Sequence, residues 1–143
     1  MKIFFDMDGT IADLYSVENW LPRLRSSDPT PYTEAKPLLH FSTLARYLNR
    51  LQKAGIEISI ISWTSKGGST TYNQMVEDAK KEWLRKHLPS VRFNHIYIVP
   101  YGYPKELFGG ADCILFDDCE NIRNDWNGRA YGPDRIMEIL KAL

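Results

Sequence analysis

Four short, nearly continuous apolar runs punctuate the chain, at residues 2–6, 56–62, 95–99 and 113–117. Runs of this length that do not alternate with polar residues predict strands buried on both faces, as in a parallel sheet. Between them, apolar residues recur at three- and four-residue steps. Phe41, Leu44, Ala45, Leu48 and Leu51 mark a helix that Gly55 stops. Tyr72, Met75, Val76, Ala79 and Trp83 mark a second, closed by Pro89. A short third helix is predicted over 120–127, ending at Gly128, and a last one starts near Pro133-Asp134 and turns Ile136, Ile139, Leu140 and Leu143 inward.

Strands alternating with helices predict one α/β domain over residues 1–143, a three-layer, doubly wound (Rossmann-like) parallel sheet. Such sheets bind ligands beyond the carboxyl ends of their strands. Residues 14–40 fit the alternation poorly. Pro22, Pro29, Pro31 and Pro37, with Ser26-Ser27-Asp28 among them, predict a small cap-like insertion after strand 1, with one helical turn around 17–24, close to that crevice.

With 43% hydrophobic and 25% charged residues over 143 positions, the chain can bury a core of ordinary size. Its net charge of zero supplies no long-range field toward nucleic acid or an anionic membrane. The first apolar run is too short for a signal-peptide core, and no later stretch reaches the length of a membrane span. Cys113 and Cys119 match no zinc-ligand spacing and form no disulfide framework. A reducing, cytoplasmic setting is the expectation.

The candidate chemistry gathers at strand ends. Asp6-Met7-Asp8-Gly9-Thr10 puts two carboxylates at the exit of the first strand, with a glycine that permits a sharp turn. Ser62 closes the second run, Asp117-Asp118 follow the last, and Lys105 lies between the third and fourth. Each has an ordinary reading by itself: turn chemistry, a strand end, a surface lysine, a helix cap. Thr64 or Ser65 could fill the role of Ser62. The joint order favours one site, because clustered carboxylates repel one another unless a cation sits among them. Oxygen-only ligands suit Mg²⁺, and Lys105 with the metal would let a carboxylate approach a phosphate. His40, His87 and His95 make no ligand spacing, and Lys66–Thr70 lacks the Walker pattern. Trp20, Tyr32, Trp63, Tyr101 and Tyr103 fall near the same edge and read first as core or lid packing, with a base-stacking platform as the alternative. Trp83 and Trp126 read as structural.

Taken in order, Asp6-x-Asp8-Gly9-Thr10, Ser62, Lys105 and Asp117-Asp118 resemble the haloacid dehalogenase superfamily of phosphotransferases, over nearly the whole chain from Asp6 to Asp118. Phe5-Asp6-Met7-Asp8-Gly9-Thr10 and the tail Lys105-Glu106-Leu107 … Ile114-Leu115-Phe116-Asp117-Asp118 resemble the 5′(3′)-deoxyribonucleotidase-like branch, with a reduced cap. The resemblance implies a Mg²⁺-dependent phosphomonoesterase. Asp6 would be the nucleophile and Asp8 the acid and base. Ser62 and Lys105 would bind phosphate, and Asp6, the Asp8 carbonyl and Asp118 would ligate the metal, with Asp117 as a second ligand or a partner behind it. It implies a small phosphate ester as substrate, a nucleotide among the candidates, and leaves open a nucleic-acid end or a phosphoprotein. A non-catalytic binding module and a phosphotransferase to another acceptor are the alternatives. The small insertion implies a site more open than that of a fully capped enzyme; monomer and homodimer are both open.

Overall fold

The computed structural model describes all 143 residues. Its central sheet holds five parallel strands: β1 (Lys2–Phe5), β4 (Glu57–Trp63), β5 (His95–Val99), β6 (Cys113–Phe116) and β7 (Arg129–Tyr131), in the order β5-β4-β1-β6-β7. β1 is central, and Phe5 is in register with Ile60 of β4 and Phe116 of β6. The chain winds outward from β1 to β5, then returns to β6 on the other side of β1 and winds out again. The strand order therefore reverses beside β1, which opens a crevice at the carboxyl tips of β1 and β6.

Alternation along the central strands feeds two buried faces. Ile3, Phe5, Ile58, Ile60, Ile114 and Phe116 point to one, where α3 (Phe41–Lys53), α4 (Thr70–His87) and α6 (Ile136–Ala142) supply Leu44, Leu48, Leu51, Trp83, Leu84, Ile136 and Leu140. Phe4, Ile61, Cys113 and Leu115 point to the other and meet Trp126, with Phe108 and Ile122 from the short 3₁₀ turn Lys105–Phe108 and α5 (Glu120–Asp125). The doubly wound layout expected from the apolar runs is present.

Several boundaries differ from the sequence expectation. β7 was not expected: Arg129-Ala130-Tyr131 carries little apolar signal and pairs only with β6. The expected third helix before it stops at Asp125 rather than 127. β5 is an edge strand and only half-buried. Met75 and Leu143 face solvent, since neither meets a packed layer.

The insertion is more structured than one turn. β2 (Ala12–Asp13) and β3 (Lys36–Pro37) pair antiparallel at its neck, and α1 (Trp20–Arg25) and α2 (Thr30–Glu34) lie between them. Arg23 ties these two helices together through Asp28 (3.1 Å) and Glu34 (2.8 Å). Leu14 and Tyr32 pack on Tyr72, Val76 and Ala79 of α4. The Tyr72 hydroxyl donates to the Asp28 carbonyl (3.0 Å), and Trp83 Nε1 to the Ala35 carbonyl (2.7 Å). The insertion is thus anchored to α4 rather than hinged freely above the sheet.

Trp83→Phe keeps most of the ring volume but leaves the Ala35 carbonyl without its donor. A loss of about 1–3 kcal/mol in urea unfolding is expected, and no loss would mean that this bond does not hold the insertion.

Candidate active site

Register at the sheet centre sets the site. One residue beyond β1, the Asp6 amide donates to the Phe116 carbonyl (2.9 Å), and beyond β6 the Asp117 amide donates to the Tyr131 carbonyl (3.1 Å). The ladder thus holds both acidic residues at the same level on adjacent strand tips. Their side chains point to the face from which Lys105 enters. Lys105 is 2% exposed, and its Nζ donates to Asp6 Oδ1 (3.0 Å) and Asp117 Oδ2 (2.8 Å). Burial alone would lower the Lys105 ammonium, but the two carboxylates outweigh it and hold its pKa above the ordinary lysine value.

The turn after Asp6 is tight: the Met7 carbonyl accepts from the amides of Thr10, Ile11 and Ala12. Gly9 has φ +79°, and a Cβ there would meet the Tyr15 ring at 2.8 Å and the Asp118 carboxylate closer still. Glycine is required both by conformation and by space. The turn buries Thr10, whose Oγ lies 3.1 Å from Asp6 Oδ2 and 3.2 Å from Asp118 Oδ1 and accepts from the Asp118 amide at 3.1 Å. One hydroxyl proton therefore bridges two carboxylates that would otherwise repel.

Asp6, Asp117 and Asp118 can bring one carboxylate oxygen each within 4.8 Å of one another. Burial and the neighbouring Asp6 and Asp117 charges push Asp118 up to about 7. Asp117 also moves up, from burial and the Asp6 charge. The two differ in how their oxygens are used. Asp117 is buried, with Oδ2 on Lys105 and Oδ1 accepting from the Cys119 amide (2.9 Å). Asp118 is the exposed member of the three, and its carboxylate accepts a hydrogen bond from Thr10. A hard divalent ion fits this all-oxygen set, and Asp118 offers it the freer oxygens.

Asp8 and Ser62 form a second group around a residue that the sequence reading missed. Lys80 of α4 is 1% exposed, and its Nζ donates to Asp8 Oδ2 (2.8 Å), Ser62 Oγ (2.7 Å) and the Trp63 carbonyl (2.7 Å). Tyr32 of the insertion covers it, with Nζ 5.0 Å from the ring centroid. Because Ser62 Oγ accepts from Lys80, its own proton is available to donate into the cleft. Burial pushes Asp8 up, against the pull of the Lys80 charge. A signal for Lys80 existed: it falls four residues after Val76 and three before Trp83, on the buried stripe of its helix, where a lysine needs a polar reason to be.

Asp6, Asp8, Ser62, Lys105, Asp117 and Asp118 line one cleft of about 450 Å³, together with Thr64, Ser65 and Lys66. Tyr15, Trp20 and Tyr32 of the insertion also line it. Ser69 caps α4 by accepting from the Tyr72 amide, a structural role for the Lys66–Thr70 segment. The ring of His87 packs on Trp83, and His40 pairs with Thr43. No helix is long and apolar enough to cross a membrane.

The sequence matches no protein-family model and no curated protein. Among solved structures, the fold is similar to D,D-heptose 1,7-bisphosphate phosphatase from Burkholderia thailandensis, with TM-score 0.51 and 14% identity over 84% of this chain and 67% of that one. It is also similar to D,D-heptose 1,7-bisphosphate phosphatase from B. bronchiseptica complexed with magnesium and phosphate, with TM-score 0.55 and 13% identity over 97% of this chain and 86% of that one. At such identities the likeness is one of fold.

Proposed function

We propose that the cleft hydrolyses phosphate monoesters through a phosphorylated Asp6, with Mg²⁺ held by Asp6, Asp118 and the Asp8 carbonyl. The observation that carries this reading is the Lys105 bridge between Asp6 and Asp117 at the β1 and β6 tips. It sets a buried cation beside a nucleophile-grade carboxylate at the mouth of a crevice. The similarity of the fold to phosphatases, one of them complexed with magnesium and phosphate, supports it. Magnesium would offset phosphate charge as the Asp6 carboxylate approaches it.

In the first step an Asp6 carboxylate oxygen forms a bond to phosphorus while the bond from phosphorus to the ester oxygen breaks. Asp8, raised by burial, gives its proton to the departing alkoxide. In the second step Asp8, now a carboxylate, takes a proton from water as the water oxygen attacks phosphorus. The bond to Asp6 breaks and inorganic phosphate leaves. Lys105 and the Ser62 hydroxyl stabilise charge on the phosphoryl oxygens. Lys80 positions Asp8 and Ser62 together, and its charge favours return of Asp8 to the carboxylate form. Asp117 stays on Lys105 and orients it.

Three outcomes test this reading. With Mg²⁺ and p-nitrophenyl phosphate, the protein is expected to turn over, and Asp6→Asn to lose at least about 1,000-fold in kcat with an unchanged circular dichroism spectrum. Comparable turnover by the variant would remove Asp6 as nucleophile. Lys80→Met is expected to reduce kcat on an alkyl phosphate by roughly 100-fold, with partial recovery in Lys80→Arg, as for a displaced acid and base. Equal rates in all three proteins would leave Lys80 a packing residue.

The third outcome concerns pH. In the metal-free protein Asp118 has its pKa raised to about 7 from an ordinary 3.8. Between those values the native state holds more protons than the unfolded chain, so this contribution to stability is full below about 4 and lost as pH rises through about 7. Mg²⁺ requires the deprotonated carboxylate. The Tm in EDTA should therefore fall from pH 5 to pH 8, and added Mg²⁺ should raise Tm more at pH 8 than at pH 5. An equal rise at both would place the ion elsewhere.

A further inference from the structure

We propose that the cleft selects phosphomonoesters whose organic group carries a planar aromatic ring, held between two aromatic pairs. This inference rests on the phosphatase reading and names the substrate class of the same site. Tyr15 and Trp20 meet edge to face at 5.0 Å, and Trp63 and Tyr101 lie 4.9 Å apart. All four line the cleft that holds Asp6 and Asp8.

Both walls begin at the reacting end. The Tyr15 ring lies over the turn that carries Asp8, 2.8 Å from where a Cβ at Gly9 would be. Trp63 directly follows Ser62, and its ring centroid is 5.2 Å from Lys105 Nζ, the group that grips Asp6. A ring joined to the phosphate through a few bonds would enter between them.

Packing alone does not account for these side chains. Tyr15 and Tyr101 are each 51% exposed, although the cleft surrounds them. The Lys66 ammonium stands 5.8 Å from the Tyr101 ring centroid, and a flat ligand would displace water from the ring surface that remains exposed. The walls are also preorganised, which lowers the ordering cost of binding. Trp63 Nε1 donates to the Tyr103 carbonyl (2.9 Å), and Trp20 packs on the cluster that docks the insertion to α4. Leu14, Leu21, Leu24 and Ile122 extend the apolar part of the lining beside the rings, while Arg25, Thr64, Ser65 and Lys66 supply its polar part.

Two substrate pairs with matched scissile bonds test the inference. Adenosine 5′-monophosphate and ribose 5-phosphate break the same primary ester and differ in the base. Benzyl phosphate and cyclohexylmethyl phosphate differ in planarity. In at least one pair, kcat/KM with Mg²⁺ should favour the aromatic member by roughly 10- to 100-fold, the scale of one stacked ring. A preference in the first pair alone assigns the ring to a nucleobase, and in the second alone to a small aryl group. Trp20→Ala and Tyr101→Ala should each reduce that ratio at least about threefold; a ratio cancels losses common to both substrates. No preference in either pair, or a ratio untouched in both variants, overturns the inference. If no ester is turned over, the phosphatase reading fails separately. The clamp is then decided by calorimetric titration with the same compounds: at least about tenfold tighter binding of an aromatic member supports it, and equal binding overturns it.

Discussion

The site depends on the pairing of one buried ammonium with two carboxylates at the tips of adjacent parallel strands. Asp6 and Asp117 are forced into proximity by the β1–β6 ladder, whatever their charges prefer. Without Lys105 the two would either take up protons or splay apart, because like charges at such range strongly disfavour joint ionisation. An ion pair of this kind is weak support for stability, since desolvation consumes most of the attraction. Its value is geometric. It fixes which carboxylate oxygens are engaged and leaves Asp118, bridged only by Thr10, facing the cleft. Burial first, and then repulsion from Asp6, raise Asp117 and Asp118, and a divalent ion would offset both.

Around that pair the fold arranges two chemically distinct halves. Alternation in β4 sends Ser62 toward Lys80 and Trp63 toward Lys105, so consecutive residues of one strand serve different roles. Lys105 serves the Asp6–Asp117 half and Lys80 the Asp8–Ser62 half. Each cation is fully enclosed, and each is satisfied by oxygens drawn from elements distant in sequence. The small insertion contributes Tyr32 over Lys80 and the Tyr15–Trp20 wall. Because it is fastened to α4 by hydrogen bonds and packing, the same contacts that dock it also complete the environment of the Asp8–Ser62 half.

Much of this was legible in the chain. The apolar runs of β1, β4 and β6 and the stripes of α3 and α4 have physical periods that survive in a one-dimensional reading. The acidic residues at strand ends could be assigned to one rim because doubly wound sheets present all carboxyl tips on the same side. Residues with weak local signal were harder. β7 is held by pairing with β6 rather than by its own three residues, and the insertion's short helices owe their form to Arg23 and to the face of α4.

What the amino-acid order determined by itself was the layer architecture and the set of groups available at the rim, because both follow from local periodicity and from residue type. Only the tertiary structure decided which groups share a proton or a charge. Lys80 is 72 residues from Asp8, and Thr10 is 108 from Asp118, and no local pattern encodes a contact that exists only once the strands are in register. It likewise decided that Asp117 turns inward to Lys105 while Asp118 turns to the cleft. Two neighbouring identical residues cannot be told apart by composition, only by the partners that burial gives them.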